Sequence, residues 1–434
     1  DGADARDFDD AVFAEKTEDG GFHLIVAIAD VAHYVKTGTD LDREAQRRGN
    51  STYFPDRVVP MLPEGLSNDL CSLRPHENRA CLAVHMWIDA QGALKKYKFV
   101  RGLMRSAARL TYEQVQAMMD AGKWTLQDGS NIEHLSPNIR HLYDAYAVLD
   151  KARQQRGALD LDLPERRVVI NDQGDMTGVV TRERLDSHKL IEEFMILANV
   201  AAASALEDKR DPKSFPCAYR IHDRPSLDKL DSVREFVESF RISMPKGQVA
   251  EPRLINGVLK QANKLEYSHL ISQVILRSQS QAVYSPRNIG HFGLALTKYA
   301  HFTSPIRRYS DLLVHRSLIK AYGLGDGGLD EGEAARFDEI CAHISTTERT
   351  SMEAERSAVD RFTAAYLSEK IGATFKGRIT GVTRFGLFVE LNESGADGIV
   401  PMRSLKNDFY EHDEAQHALI GKRTRIVYRL GAPV

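Results

Sequence analysis

Cysteine is rare in this sequence, with four among 434 residues. The four positions are far apart, and none belongs to a CxxC pair or to a His/Cys spacing of the kind that binds zinc. We interpret them as small core residues of a protein in a reducing compartment, and we predict a cytoplasmic location. They are Cys71, Cys81, Cys217 and Cys341.

Two further features are missing: a long apolar run and an excess of basic residues. No stretch approaches the roughly 18 apolar residues that a membrane-spanning helix needs, and the N-terminus lacks the pattern of a secretory signal. The 58 Lys and Arg residues are balanced by 61 Asp and Glu residues, for a net charge of −3. Proteins that bind nucleic acids usually have a basic excess. If the substrate is RNA, a local channel or module must attract it.

The pattern of apolar residues predicts an α+β organisation that changes character near residue 371. The apolar run at 22–31, which is rich in β-branched residues, and a second apolar run at 80–88 are typical of buried strands. Segments with a helical period follow at 186–208, 303–321 and 330–370. Asp186 or Ser187 is predicted to cap the first of these helices. From 371 onward, short alternating segments with glycines and aromatic residues indicate a small β-barrel.

The chain begins with a dense group of carboxylates in the sequence DGADARDFDD. Ionised carboxylates at this density repel one another, and divalent cations such as Mg²⁺ or Mn²⁺ remove that cost. Two such ions roughly 4 Å apart form a known arrangement for phosphodiester hydrolysis. The alternative is an acidic terminus frayed in water, but the apolar residues at positions 8 and 11–13 favour an ordered segment. The carboxylates are Asp1, Asp4, Asp7, Asp9 and Asp10.

A second constellation lies in TKYAHFTSPIRRYSDLLVHR at 297–316. The predicted helix places Arg307 and Arg308 in its first turn, where basic residues oppose the helix dipole. A compensating anion is therefore expected, and arginines at a helix N-terminus suit a phosphate group. The alternative is an ion pair between an arginine and Asp311 at the surface.

Both constellations, together with the other motifs quoted below, strongly resemble those of the ribonuclease II/R family of processive 3′-to-5′ exoribonucleases. The resemblance implies an RNB-type catalytic domain over 1–370, with a mixed sheet and surrounding helices, followed by a small S1-type OB-fold β-barrel over 371–434. The resemblance of residues 371–434 to the S1-type domain rests on the segments KGRITGVTRFGLFVEL and GADGIVPMRSL. The catalytic motifs are DGADARDFDDA (1–11), VAIADVAHYV (26–35), STYFPDRVVPMLPEGLSNDLCSL (51–73), HKLIEEFMILANVAAA (188–203), YRIHDRPS (219–226) and HFGLALTKYAHFTSPIRRYSDLLVHR (291–316).

The resemblance also implies roles for the aspartates. Asp1, Asp7 and Asp10 match positions that bind metal in the family, and the expected cofactor is a pair of Mg²⁺ ions, with Mn²⁺ as a substitute. Asp9 belongs to the same metal-binding set and matches the position on which catalysis depends most. Asp4 is interpreted as supporting structure.

Further positions match residues that contact RNA in the family. Arg307 matches the arginine that holds the scissile phosphate, and Arg308 its basic neighbour. Tyr53 matches an aromatic residue that stacks near the terminal bases, although a tyrosine in TYFPDR is more often a turn or core residue. Tyr112 and one of the glutamates Glu192 and Glu193 match positions near the ribose.

One motif departs from the family, whose bacterial members carry a phenylalanine that opposes the stacking tyrosine. Here the segment reads RGALDLDLP, with Asp160 or Leu161 near that position. The chain also begins on the first matched aspartate, and it ends before the predicted five barrel strands are complete. We therefore expect a piece of a longer protein, without the family's N-terminal cold-shock domains.

These observations predict a monomeric enzyme that degrades single-stranded RNA from the 3′ end and releases nucleoside 5′-monophosphates. Two alternatives remain. One is an RNA-binding scaffold of the same fold without turnover, and the other is a phosphoesterase acting on single-stranded DNA.

Overall fold

The computed structural model describes residues 2–126, 129–161, 165–209, 211, 213–247, 250–265, 268–405, 408–414 and 417–434. The strands are β1 Asp10–Lys16, β2 Phe22–Ala29, β3 Thr52–Tyr53, β4 Val58–Val59, β5 Asn78–Ile88, β6 Leu94–Arg105, β7 Glu165–Ile170, β8 Met176–Arg182, β9 Tyr219–Ile221, β10 Val283–Ser285, β11 Gly377–Thr383, β12 Gly386–Leu391, β13 Asp397–Pro401, β14 Tyr410–Asp413, β15 Ala418–Gly421 and β16 Val427–Arg429.

The helices are α1 Val31–Tyr34, α2 Asp40–Arg48, α3 Tyr112–Ala121, α4 Ser136–Arg156, α5 Asp186–Asp208, α6 Leu227–Glu238, α7 Pro252–Ala262, α8 Ser268–Ser278, α9 Tyr309–Tyr322, α10 Glu331–Ala335 and α11 Phe337–Ser368. Within the described residues, none of these helices has the length and apolar character to cross a bilayer.

A four-stranded sheet in the order β1-β2-β5-β6 is the frame of the N-terminal part of the chain. All its pairings are antiparallel, whereas we expected a mixed sheet. Along β2, Leu24, Val26 and Ile28 are fully buried and belong to the main core, which α5 and α9 also help to form. The register pairs Asp10 with Ile28, so the sheet fixes the end of the acidic segment.

Helix α9 passes through the centre of this core. Every residue from position 309 to position 319 is buried, although the helix carries charged and polar side chains. A helix buried on all sides must pair its polar groups inside the protein, because an unpaired buried charge is strongly unfavourable.

Arg316, near the middle of α9, is the centre of a buried ionic network. Its Nη2 donates to Asp42 Oδ1 at 2.7 Å and to the carbonyl of Val35 at 2.8 Å. Its Nη1 donates to Glu333 Oε1 at 2.5 Å and to the Tyr309 hydroxyl at 3.1 Å. Arg316 therefore ties α9 to α2 and to α10.

The C-terminal part forms the small β-barrel expected from the sequence. Its two three-stranded sheets have the orders β11-β12-β13 and β14-β15-β16, around a core that includes Ile379, Leu387 and Leu419. The final residues extend the pairing, since Gly377 and Val434 exchange two backbone hydrogen bonds of 2.9 Å. Gly386 is required at its turn, because its φ is 154° and a Cβ there would lie 2.2 Å from the carbonyl oxygen of Val400.

Glu390 on β12 joins the barrel to the N-terminal part of the chain. Its carboxylate accepts a hydrogen bond from Arg166 at 2.9 Å and one from Gln273 at 3.2 Å, and it lies 3.8 Å from His269. The interaction with His269, together with Arg166 and Gln273, lowers the pKa of Glu390 to about 2. The charged form is therefore the one that holds the two parts together.

We predict that Arg316→Met lowers the free energy of unfolding by about 3–5 kcal/mol, because it leaves Asp42 and Glu333 buried without their cation. Urea unfolding followed by circular dichroism measures the loss. The control is Arg43→Met, which removes an exposed ion pair with Asp40 and should cost less than about 1 kcal/mol. Equal losses in the two variants would contradict the role given to the buried network.

We predict a pH-dependent effect of Glu390→Gln. The folded-state pKa of about 2 lies below the ordinary glutamate value of 4.5, so the carboxylate stabilises the folded chain above pH 4.5. That contribution is lost as the pH falls toward 2. The variant should therefore lose roughly 1–2 kcal/mol at pH 7, and its difference from wild type should shrink on acidification. Urea unfolding between pH 7 and pH 3 tests this, with exposed Glu393→Gln as the control. A difference that does not change with pH would refute the assignment.

Candidate active site

The acidic segment is held against the catalytic core by its backbone. The Phe8 N–H donates to Ser72 Oγ at 3.0 Å, and the same hydroxyl donates to the carbonyl of Arg6 at 2.9 Å. The Leu73 N–H donates to the carbonyl of Phe8 at 2.9 Å. The segment therefore enters β1 as ordered structure, as its apolar residues predicted.

Asp9 is the most deeply buried of the described aspartates of the acidic segment, with an exposed fraction of 5%. Its Oδ1 accepts a hydrogen bond from the Ile306 N–H at 3.0 Å, and its Oδ2 lies 3.9 Å from Arg307 Nε. Burial raises the pKa of Asp9 well above its usual value, which the charge of Arg307 offsets only in part. Burial also raises the pKa of Asp10. Asp9 is thus buried and its neighbour Asp10 half-buried, and loss of contact with water raises the pKa of both carboxyl groups.

The other aspartates differ in their surroundings. Asp7 is half-buried, and Asp4 is exposed and forms an ion pair of 2.9 Å with Arg167. Asp1, a predicted metal ligand, lies outside the described residues. Among the residues that the structure describes, no three His, Cys, Asp or Glu side chains already form a group that could hold a metal ion. The metal-binding roles of Asp1, Asp7, Asp9 and Asp10 therefore stay predictions.

The two arginines precede α9, and our prediction that they lie in its first turn is wrong. The helix begins at Tyr309, and Arg308 is its N-cap with an extended backbone at φ −137° and ψ 123°. The reason is backbone pairing with the segment after α2. The Ser51 N–H donates to the carbonyl of Arg307 at 3.0 Å, and the Tyr309 N–H donates to the carbonyl of Gly49 at 2.9 Å.

Arg307 and Arg308 have different partners. Arg308 donates two hydrogen bonds of 2.8 Å to Asp311, whose side chain is fully buried. The ion pair considered from the sequence is therefore present, but it lies inside the protein and not at the surface. The side chain of Arg307 is 43% exposed and donates to Ser304 Oγ at 3.1 Å. Its guanidinium therefore lies at the edge of the acidic segment with much of its surface open to solvent.

Tyr53 lies on the same side of the protein as these groups. It is 41% exposed, and its backbone N–H donates to Glu355 Oε1 at 2.7 Å. Burial of the phenol is the main cause that raises the pKa of Tyr53 to about 12. The charge of Arg307 opposes this shift, and the carboxylates of Asp7 and Asp9 add to it. The pairing of residues 49–51 with 307–309 thus brings the predicted stacking tyrosine close to the arginine and the aspartates.

Tyr112 stacks on His188, with ring centroids 4.1 Å apart and an angle of 19° between the planes. Burial raises the pKa of Tyr112, and the charge of Asp10 adds to this shift. Tyr112 and Asp10 also line a largely apolar cavity of 610 Å³ between β1, α3, α4 and α5. Sequence reasoning missed His188, because a histidine at the start of an ordinary helix carries no distinctive signal.

The two glutamates are bound by the same arginine. Arg153 Nη1 lies 3.2 Å from Glu192 Oε1 and 2.9 Å from Glu193 Oε1, and Glu193 is the more buried of the two. Glu192 also forms an ion pair with Arg184. The structure therefore does not bring either carboxylate into contact with the aspartates.

The segment expected to carry the second half of the base clamp is described only in part. The N–H of Asp160, an exposed residue, donates to Asn256 Oδ1 at 3.1 Å. Leu161 is partly buried against the hydrophobic cluster that includes α6, α7 and α8. Residues 162–164 lie outside the described part of the chain.

The sequence agrees with two known domain families. Residues 1–323 match the RNB domain, and residues 368–427 match the S1 RNA binding domain. The first match covers more than half of the chain, which is therefore an RNB-domain protein with an S1 domain after it. It belongs to the ribonuclease II/R family, as its motifs predicted.

Individual relatives agree with this assignment. The chain is 41% identical to ribonuclease R of Escherichia coli (strain K12), over 99% of this chain and 53% of that protein. The solved structure of Mycoplasma genitalium RNase R in complex with ribose methylated single-stranded RNA is 30% identical, with a TM-score of 0.91, over 100% of this chain and 67% of that one. Yeast Ssd1, a pseudonuclease, shares the fold at 19% identity and a TM-score of 0.71, over 95% of this chain and 50% of that one. The chain spans about half the length of the curated relatives it matches.

We predict that the two arginines differ in their effect on stability. Arg308→Met leaves Asp311 buried without its cation and should lower the free energy of unfolding by about 3–5 kcal/mol. Arg307→Met removes an exposed side chain and should change it by less than about 1 kcal/mol. Urea unfolding of both variants without divalent ions makes the comparison. A large loss in Arg307→Met would show that this residue is structural as well.

Proposed function

We propose that this chain is the catalytic part of a 3′-to-5′ exoribonuclease that processively hydrolyses single-stranded RNA and releases nucleoside 5′-monophosphates. The observation that carries the proposal is the position of exposed Arg307 beside the buried carboxylate of Asp9, 3.9 Å away. Membership of the ribonuclease II/R family supports the reaction, and the RNA bound to the Mycoplasma genitalium relative supports the substrate class.

Mg²⁺ is the proposed cofactor, with two ions per site and Mn²⁺ as a substitute. The donor chemistry fits, because carboxylate oxygens are hard ligands and the burial of Asp9 and Asp10 is unfavourable without added positive charge. Asp1, Asp7, Asp9 and Asp10 are the proposed ligands. Such ions, when bound, activate water and stabilise the leaving oxygen of a phosphodiester.

The residues of the chain itself would bind and orient the RNA. The open guanidinium of Arg307 suits a phosphate, which it can bind through two N–H groups. Arg308 is also proposed to face the RNA, although its pair with Asp311 makes it foremost a support for the turn before α9. Asp9 accepts the Ile306 N–H and so holds the same turn against the acidic segment.

Aromatic residues would grip the terminal nucleotides. The exposed part of Tyr53 suits stacking on a base, which is independent of sequence. Tyr112, next to Asp10, is proposed to lie near the ribose, where the 2′-hydroxyl distinguishes RNA from DNA. Glu192 is also proposed to lie near the ribose, and this role requires that its ion pairs with Arg153 and Arg184 break.

We also propose the domain division, oligomeric state and location. The end of α11 at Ser368 and the start of β11 at Gly377 support a boundary near residues 370 and 371. The four cysteines are free and buried, in keeping with a reducing cytoplasm. A monomer is proposed because the sequence carries no heptad repeat.

We predict that Asp9→Asn abolishes stepwise shortening of 5′-labelled single-stranded RNA in Mg²⁺, with a loss of at least about a hundredfold in kcat. The products are separated as a ladder on a denaturing gel. Asp172→Asn makes the same chemical change at an exposed turn and serves as the matched control, with EDTA and single-stranded DNA as further controls.

Shortening by wild type and by Asp172→Asn, but not by Asp9→Asn, supports the proposal. RNA binding without shortening by wild type would favour the scaffold alternative. Equal degradation of DNA would favour the less specific phosphoesterase.

A further inference from the structure

Arg109, in the segment between β6 and α3, contacts the backbone of the acidic segment. Its Nη2 donates to the carbonyl of Gly2 at 2.8 Å and to that of Ala3 at 3.0 Å, and it lies 3.5 Å from the carbonyl of Ala5. One guanidinium nitrogen is thus shared by three carbonyl groups that precede the described metal-ligand candidates.

The same guanidinium also contacts the residue that follows Asp7 in the chain. Its carbon is 5.1 Å from the ring centroid of Phe8, at a distance typical of cation–π contact. The backbone of Phe8 is in turn fixed by Ser72 and Leu73. Arg109 therefore links residues 2–5 to the fixed part of the segment, and Asp7 lies between the two contacts.

This arrangement does not neutralise the carboxylates directly. Among the described residues, Arg109 has no ion pair within 4.0 Å, and its Nε is buried without a hydrogen-bond partner. A positive charge so close to a proposed cation site opposes the binding of cations by simple repulsion. The side-chain hydrogen bonds of Arg109 go to backbone carbonyl groups and not to carboxylates, so its contribution is to the shape of the loop.

We propose that Arg109 is a positioning residue, which holds the acidic segment in the conformation that binds divalent metal. This inference rests on the proposed function, because it assumes that the aspartates are metal ligands. Groups that orient metal ligands from behind raise metal affinity, and their loss typically lowers it by about 10–100-fold. Without Arg109, the loop has to be ordered at the moment of binding, which weakens the affinity for the ion.

The proposal predicts that Arg109→Ala raises the Mg²⁺ concentration for half-maximal RNA degradation by roughly tenfold or more. At saturating Mg²⁺ its kcat should return to within about threefold of wild type, because Arg109 does not touch the reacting groups. Arg109→Lys keeps the charge but not the planar guanidinium, and its Mg²⁺ requirement should lie between those of wild type and Arg109→Ala. The matched control is Arg167→Ala, which removes the exposed ion pair of the same loop with Asp4 and should leave the Mg²⁺ requirement within about twofold of wild type.

A direct measurement separates this inference from the proposed function. Mn²⁺ is titrated calorimetrically into the metal-free chain, as wild type and as each variant, with urea unfolding to confirm that each variant is folded. Tighter binding by wild type than by Arg109→Ala supports the inference. Equal affinities would overturn it and leave the proposed function intact, whereas no binding by wild type would overturn the metal site itself. If Arg109→Ala does not fold, the same comparison with Arg109→Lys decides.

Discussion

Buried carboxylates need partners, and helix α9 and the turn before it provide them. Arg316 pairs with Asp42 and Glu333, and Asp311 pairs with Arg308. These interactions fix the helix in the core, and through it the position of the residues that precede Tyr309. At Asp9 the same constraint is only partly met, because Arg307 is 3.9 Å away and half-exposed. The charge left without a close partner is at the place where the proposed chemistry needs a cation.

The geometry of the site depends on pairing between distant parts of the backbone. Residues 49–51 and 307–309 lie side by side, and the hydrogen bonds between them use the amides at positions 51 and 309. The start of α9 is thereby set next to the hairpin that carries Tyr53. The hydrogen bond from the Ile306 N–H to Asp9 joins the acidic segment to the turn before α9. Three stretches that are remote in sequence thus meet at one site.

Much of this could be predicted from the sequence, because the relevant signals are local. The strong period of α5, the β-branched runs of β2 and β5 and the alternating barrel strands all depend on neighbouring residues. The family motifs identified Asp9, Arg307, Tyr53 and Tyr112 as candidates. The structure places Asp9, Arg307 and Tyr53 within electrostatic range of one another, and Tyr112 near Asp10.

The errors have non-local causes. The helix at 303–321 starts later than predicted, since the pairing of Arg308 with Asn50 extends the chain before it. Neither Asp186 nor Ser187 is the N-cap of α5, which is Leu185, and the Ser187 hydroxyl donates instead to the carbonyl of Tyr112. The contacts of Arg109 with the acidic segment also join residues that are more than 100 positions apart.

The Arg316 network has a consequence for how this sequence can change over time. Removing Arg316 leaves Asp42 and Glu333 buried without their cation, and removing either carboxylate leaves a buried N–H group of Arg316 without its acceptor. Replacing all three with well-packed apolar residues can instead be neutral or even stabilising. Asp42 and Arg316 are 274 positions apart, so a single mutational event does not alter both. The three positions are therefore expected to vary together or not at all among descendants of this chain. The network can persist because every single step away from it is unfavourable, whether or not it is the most stable solution for that part of the core.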